Sequence, residues 1–241
     1  MKTLGLLGGM SWESTAVYYR LLNQGVSRRL GGLHSAPLRI ASVDFAPVAQ
    51  WQSAGQWAAA AQHLGALGSG LWRAGAQGLV LATNTMHKVA DTIEAAAGLP
   101  LLHIADATGA AIRAAGLSRV GLLGTRFTME DSTIVIDRLR QRSGLEVLVP
   151  PAADRARVHA VIYDELCRGV VSEASRQAFL GVIDRLAARG AQGVILGCTE
   201  ISLLLDPARH AFPLFDSTAL HAEAAVAWML DEPTPTDRKP T

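Results

Sequence analysis

The chain is poor in lysine, cysteine, aromatic residues and net charge. Lysine occurs only as Lys2, Lys88 and Lys239, although Lys and Arg together number 22 in 241 residues. A pyridoxal-phosphate enzyme needs a lysine for its Schiff base. Lys88 is the one interior candidate, and no phosphate cradle surrounds it in the sequence, which argues against that cofactor. Two cysteines, Cys167 and Cys198, are too few for a disulfide framework and suit a reducing cytoplasm. Aromatic residues make up 5% against 49% apolar residues overall, so the core must be mostly Ala, Leu, Val and Ile. A formal net charge of +1 offers no basic field to nucleic acid and no acidic field to a cationic partner.

Other signals are missing too. No apolar run is long enough to span a membrane, and the N-terminus lacks the basic and apolar regions of a signal peptide. The seven histidines are scattered, with no metal-binding spacing, so no metal site is expected. The serine-hydrolase elbow G-x-S-x-G is absent. Gly5, Gly8 and Gly9 miss the G-x-G-x-x-G spacing of a dinucleotide site.

Short apolar runs alternate with longer amphipathic stretches. Runs at 3–7, 38–44, 78–82, 101–104, 119–123, 145–149, 193–196 and 212–215 read as buried strands. Helices are expected at 14–30, 55–75, 89–97, 106–115, 129–143, 154–168, 172–189 and 218–230, with Thr128 or Asp131 capping the fifth and Ser172 the seventh. This alternation predicts an α/β fold with mainly parallel sheets. The Pro- and Thr-rich end, 231–241, reads as a disordered tail.

The chain also repeats itself. "LGLLGG" at 4–9 resembles "VGLLGT" at 120–125, "AGAQGLVLATNT" at 74–85 resembles "RGAQGVILGCTE" at 189–200, and "LPLLHIADAT" at 99–108 echoes "FPLFDSTALH" at 212–221. Three similar offsets in one order predict two lobes of like fold, 1–115 and 116–230, with 216–230 crossing back onto the first. Working residues of α/β sheets sit beyond the carboxyl ends of strands. Thr83 and Cys198 each fall at such an end, in equivalent turns. A cysteine at a helix start is expected to have a lowered pKa, and Thr199 is a candidate cap. "GLLGGMSWEST" at 5–15 reads either as a carboxylate-binding turn or as a tight strand–helix connection. Cys167, late in an expected helix, reads as structural or incidental.

"GGMSWEST", "NTMH" at 84–87 and "GCTEI" at 197–201 together resemble the aspartate/glutamate racemase family across nearly the whole chain. The resemblance implies two α/β lobes related by pseudo-two-fold symmetry, an active site between them, and a homodimer. It also implies racemisation without a cofactor, one cysteine removing the α-proton and a second returning a proton on the other face. Cys198 matches the second family cysteine, whereas Thr83 stands where the first belongs. The resemblance assigns Cys198 and Thr83 to catalysis. It assigns Met10, Ser11, Gln52, Asn84, Thr85, Thr125, Thr199 and Glu200 to binding a small amino acid. Aspartate or glutamate is the family default, but the stretch 44–57 offers no basic residue for an acidic side chain; Arg126 and Arg168 are more distant donors. A lone second-half cysteine is also similar to arylmalonate decarboxylases, and maleate isomerases share the framework. A catalytically silent small-molecule binder is the remaining alternative.

Overall fold

The computed structural model describes residues 1–232. It divides into two compact units, one formed by Met1–Ile104 with the chain from His221, the other by Ala105–Leu220. The first unit contains β1 (Leu4–Gly8), α1 (Trp12–Leu30), β2 (Leu38–Ser42), α2 (Phe45–Ser53), α3 (Trp57–Arg73), β3 (Gly78–Leu81), α4 (Ala90–Ala97) and β4 (Leu101–Leu102). Then follow α5 (Ile104–Ala114), β5 (Arg119–Gly124), α6 (Arg126–Glu130), α7 (Ile136–Ser143), β6 (Glu146–Leu148), α8 (Ala152–Ala160), α9 (Glu173–Ala188), β7 (Val194–Gly197), β8 (Leu214–Asp216) and α10 (Ser217–Met229).

Each unit carries a four-stranded parallel sheet of the same order, β2-β1-β3-β4 and β6-β5-β7-β8. The central strands β1, β3 and β7 are buried along their whole length, which is why they read as continuous apolar runs. One core of the first unit packs Leu7, Leu64, Leu79, Leu81 and Ile93; another packs Leu4, Tyr18, Leu22, Val80 and, from α10, Ala225, Val226 and Met229. The core of the second unit is built around Phe179, Val182, Leu196 and Ile201.

The repeated "GAQG" has a structural explanation. Gly75 and Gly190 each turn the chain at φ 92°, and Ala76 and Ala191 are buried. The glutamine side chains then tie down the neighbouring strand. Gln77 Oε1 accepts from the Thr3 N–H at 2.9 Å. Gln192 Oε1 accepts from the N–H groups of Ser118 and Arg119 at 2.9 and 3.0 Å.

Several local expectations need correction. The stretch after β2, where no helix is expected from the sequence, forms α2, whose start is capped by the Asp44 carboxylate. The single helix expected over 129–143 is two, α6 and α7. Between them Asp131 accepts from both the N–H and the hydroxyl of Thr133, the local bonding by which Asp-Ser-Thr competes with a helix. Thr125 caps α6 in place of Thr128 or Asp131, whereas Ser172 does cap α9. The helix over 154–168 changes pitch after α8, into a π-turn at Val161–Glu165 and a 3₁₀ turn at Leu166–Arg168. The expected tail lies outside the described residues except for its first two: Asp231 pairs with Lys2, and Glu232 with Arg29.

Candidate functional site

In the second unit, Cys198 follows β7 directly and precedes a short 3₁₀ turn, Thr199–Leu203. Its Sγ donates to Glu200 Oε2 at 2.9 Å, and the Thr199 hydroxyl donates to the same oxygen at 2.7 Å. Glu200 is a buried carboxylate at 8% exposure, so an anion is held against the thiol. The consequence reverses the sequence expectation. Burial, then the charge of Glu200 and its hydrogen bond to the thiol, push the Cys198 pKa well above its usual value. A five-residue 3₁₀ turn supplies too little helix dipole to compensate. Thr199 is not the cap: Cys198 holds that position, without a side-chain capping bond.

Tyr163, on the π-turn, belongs to the same neighbourhood. Burial, then the electrostatic influence of Cys198, Cys167 and Glu200, raise its phenol to about 12, with Arg126 opposing. The His159 ring lies 4.6 Å from the Tyr163 ring, and its Nδ1 accepts from the Arg126 N–H at 3.2 Å. Burial and the charge of Arg126 hold His159 below its ordinary pKa. Neither His159 nor Tyr163 is visible as a site residue in the sequence. A π-turn of the kind often found at functional sites brings Tyr163 in, and no sequence spacing announces it. Cys167 is exposed on the following 3₁₀ turn, and Arg168 pairs with Asp164 at 3.9 Å.

Thr125 follows β5 as the cap of α6, accepting from the Thr128 N–H at 3.4 Å. The register places Gly124 opposite Gly197, so Thr125 and Cys198 leave adjacent strand ends.

In the first unit, Thr83 follows β3 at the position equivalent to Cys198. Its N–H donates to the Leu81 carbonyl at 2.8 Å, and its own carbonyl is 2.8 Å from His87 Nδ1. A carbonyl only accepts, so Nδ1 carries the proton, and Nε2 accepts from the Ile104 N–H at 3.2 Å. His87 is thus neutral. Burial, followed by the proximity of His103 and His221, holds its pKa well below 6.5. The His87 ring lies 4.5 Å from His103 and 5.6 Å from His221. His221 is fixed in turn by the Tyr18 hydroxyl at 2.9 Å and the Leu102 carbonyl at 2.7 Å. The "NTMH" turn therefore rests on a buried histidine cluster that spacing alone did not show. Asn84 and Thr85 are buried in the turn itself.

The remaining predicted residues have partners within the first unit. Met10 is buried in the core beside Leu7 and Met86. Ser11 caps α1 through the Ser14 N–H, and Gly9 N–H donates to the Thr15 hydroxyl at 2.7 Å. The turn at 5–15 thus bonds to itself at both positions. Gln52 is buried, its amide donating to Met86 Sδ at 3.0 Å. Among the described residues no group of three His, Cys, Asp or Glu side chains is placed to hold a metal ion, and no helix is long and apolar enough to cross a membrane.

A model of the Asp/Glu/Hydantoin racemase family matches residues 7–225. Among solved structures, one described provisionally as an Asp/Glu racemase from Yersinia pestis is 53% identical, covering 95% of this chain and 100% of that one, with a TM-score of 0.90. An aspartate racemase homologue from Pyrococcus horikoshii is 31% identical over 96% of this chain and 100% of that one, with a TM-score of 0.81. The aspartate racemase of Picrophilus torridus, at 18% identity over 95% and 94% of the two chains, shares the fold with a TM-score of 0.73. With a match that runs from β1 into α10, the chain belongs to the Asp/Glu/Hydantoin racemase family.

Proposed function

We infer that the protein racemises aspartate or glutamate without a cofactor, Cys198 exchanging the α-proton. The observation that carries this reading is the thiol of Cys198 set against the Glu200 carboxylate at 2.9 Å, at the carboxyl end of β7. A thiol acts as a base only after losing its proton. Glu200 Oε2 is the acceptor in reach, so the proton passes from Sγ to the carboxylate and leaves a thiolate beside a neutral acid. The single negative charge of the pair is conserved. The thiolate then takes the α-proton. Donors aimed at the substrate carboxylate, whose charge grows as the proton leaves, take the place of a cofactor.

Thr83 is proposed to serve the opposite face. Its hydroxyl is far too weak an acid to equal a thiol, so proton exchange is expected to be faster from one enantiomer than from the other. The overall equilibrium between enantiomers stays unchanged. The test is α-proton loss in heavy water from L- and D-aspartate and L- and D-glutamate. Exchange should occur with at least one acid, be asymmetric between enantiomers, and disappear in Cys198→Ala. Exchange that survives Cys198→Ala ends this reading. Equal rates from both enantiomers end the assignment of Thr83.

A further inference from the structure

We propose that Arg126 is the residue that selects an acidic substrate, by binding its side-chain carboxylate; this rests on the racemase reading above. Arg126 lines an open cavity of about 540 Å³ in the second unit, together with Phe127, Glu130, Asp131 and Ser132. That volume suits a small-molecule site.

The cavity holds one cation and two carboxylates, and both carboxylates are already engaged within the protein. Glu130 is taken by Arg155 at 3.0 Å. Asp131 accepts from the N–H and hydroxyl of Thr133 at 3.1 and 2.6 Å. The Ser132 hydroxyl donates to Asp137 at 2.8 Å. Arg126, by contrast, has no carboxylate partner among the described residues; its guanidinium carbon lies 5.8 Å from the Phe127 ring. Its planar fork matches a carboxylate in two parallel hydrogen bonds.

Arg126 and the thiol follow neighbouring strand ends. Gly124 pairs with Gly197 in register, and Arg126 comes two residues after the one as Cys198 comes one after the other. Neighbouring strands are about 4.8 Å apart. The Tyr163 phenol responds to both groups, raised by Cys198 and lowered by Arg126. An amino acid whose α-carbon meets Cys198 can therefore extend a side chain of two or three carbons toward Arg126. The stretch 44–57, which lacks any basic residue, is then not needed for side-chain charge.

The experiment uses the full chain with Cys167→Ser, which leaves Cys198 as its single thiol. The rate of α-proton exchange is compared for aspartate against asparagine and glutamate against glutamine, in Arg126, Arg126→Met and Arg126→Lys proteins. The acid-to-amide ratio should fall about thirtyfold or more in Arg126→Met, chiefly through KM, and by less in Arg126→Lys. A ratio that holds within threefold in Arg126→Met overturns the proposal. A second readout needs no turnover. Succinate should protect Cys198 from iodoacetamide better than butyrate does, and Arg126→Met should remove that difference. Equal succinate protection with and without Arg126 overturns the proposal. If the parent protein exchanges no α-proton, the racemase reading fails, while the protection assay still decides whether Arg126 binds the second carboxylate.

Discussion

Cys198 and Glu200 form a hydrogen-bonded acid–base pair across one intervening residue, 2.9 Å from Sγ to Oε2. Both the charge and the hydrogen bond of Glu200 raise the thiol pKa. Glu200→Gln removes the anion, so the pH midpoint for iodoacetamide labelling of Cys198, measured with Cys167→Ser, should move down. Exchange of the α-proton should nevertheless slow, because the proton acceptor is gone. A purely electrostatic role for Glu200 would speed both, and an unmoved midpoint would show that burial alone sets the thiol.

The buried histidine cluster predicts acid sensitivity. The folded-state pKa of His87 lies well below its usual 6.5. Its contribution to stability is therefore complete above about pH 6.5 and is lost as pH falls toward the folded value. The urea midpoint should drop between pH 7 and pH 5. In His87→Gln the curve should be flatter over that range and start lower, by about 1–3 kcal/mol at pH 7, because the bonds to Thr83 and Ile104 are disturbed. An unchanged pH slope in the variant would assign the sensitivity elsewhere.

Two equivalent glutamines should differ in worth. Gln192 accepts from two backbone N–H groups and Gln77 from one. At about 0.5–1.5 kcal/mol per bond, Gln192→Ala should lose more in chemical denaturation than Gln77→Ala. Equal losses would mean that the second bond of Gln192 contributes nothing measurable.

Gly9 tolerates no side chain. It sits at φ 91°, and a Cβ there would come within 2.2 Å of the Val43 carbonyl oxygen and 2.3 Å of its nitrogen. The neighbour is backbone, which cannot turn aside. Gly9→Ala should cost about 3 kcal/mol or more, combining overpacking with an unfavourable φ. A thermal midpoint close to the parent's would show that the β1 and β2 ends can separate without penalty.

The central strands were legible because burial on both faces writes a strand as a short apolar run, and the helices because their stripes are periodic. The failures have local causes. Around Asp44–Gln56 the sequence lacks a clean helical period, yet one capping carboxylate starts α2. Asp131 and Thr133 break a helix by bonding to each other. At the site, the positions of Cys198 and Thr83 were readable from the repeat, since a strand end is a place in a topology. Thiol acidity was not, because it depends on where the Glu200 side chain turns. His159 and Tyr163 are brought together by packing and a local change of helical pitch, which no pairwise spacing records.

The return of α10 to the first unit also sets an order of events during synthesis. Residues 105–220 form a continuous segment, so the second unit has its whole core once that segment has emerged. The first unit does not. Tyr18 bonds to His221, and Leu4, Leu6 and Leu22 pack with Ala222, Ala225, Val226 and Met229. Although synthesis ordinarily lets the leading domain fold first, here the earliest-made sheet keeps an open apolar flank until the second unit has been translated. A ribosome-bound chain that ends at residue 220, followed by an unstructured linker long enough to clear the exit tunnel, should therefore present a protease-resistant second unit beside a first unit that is still readily cleaved.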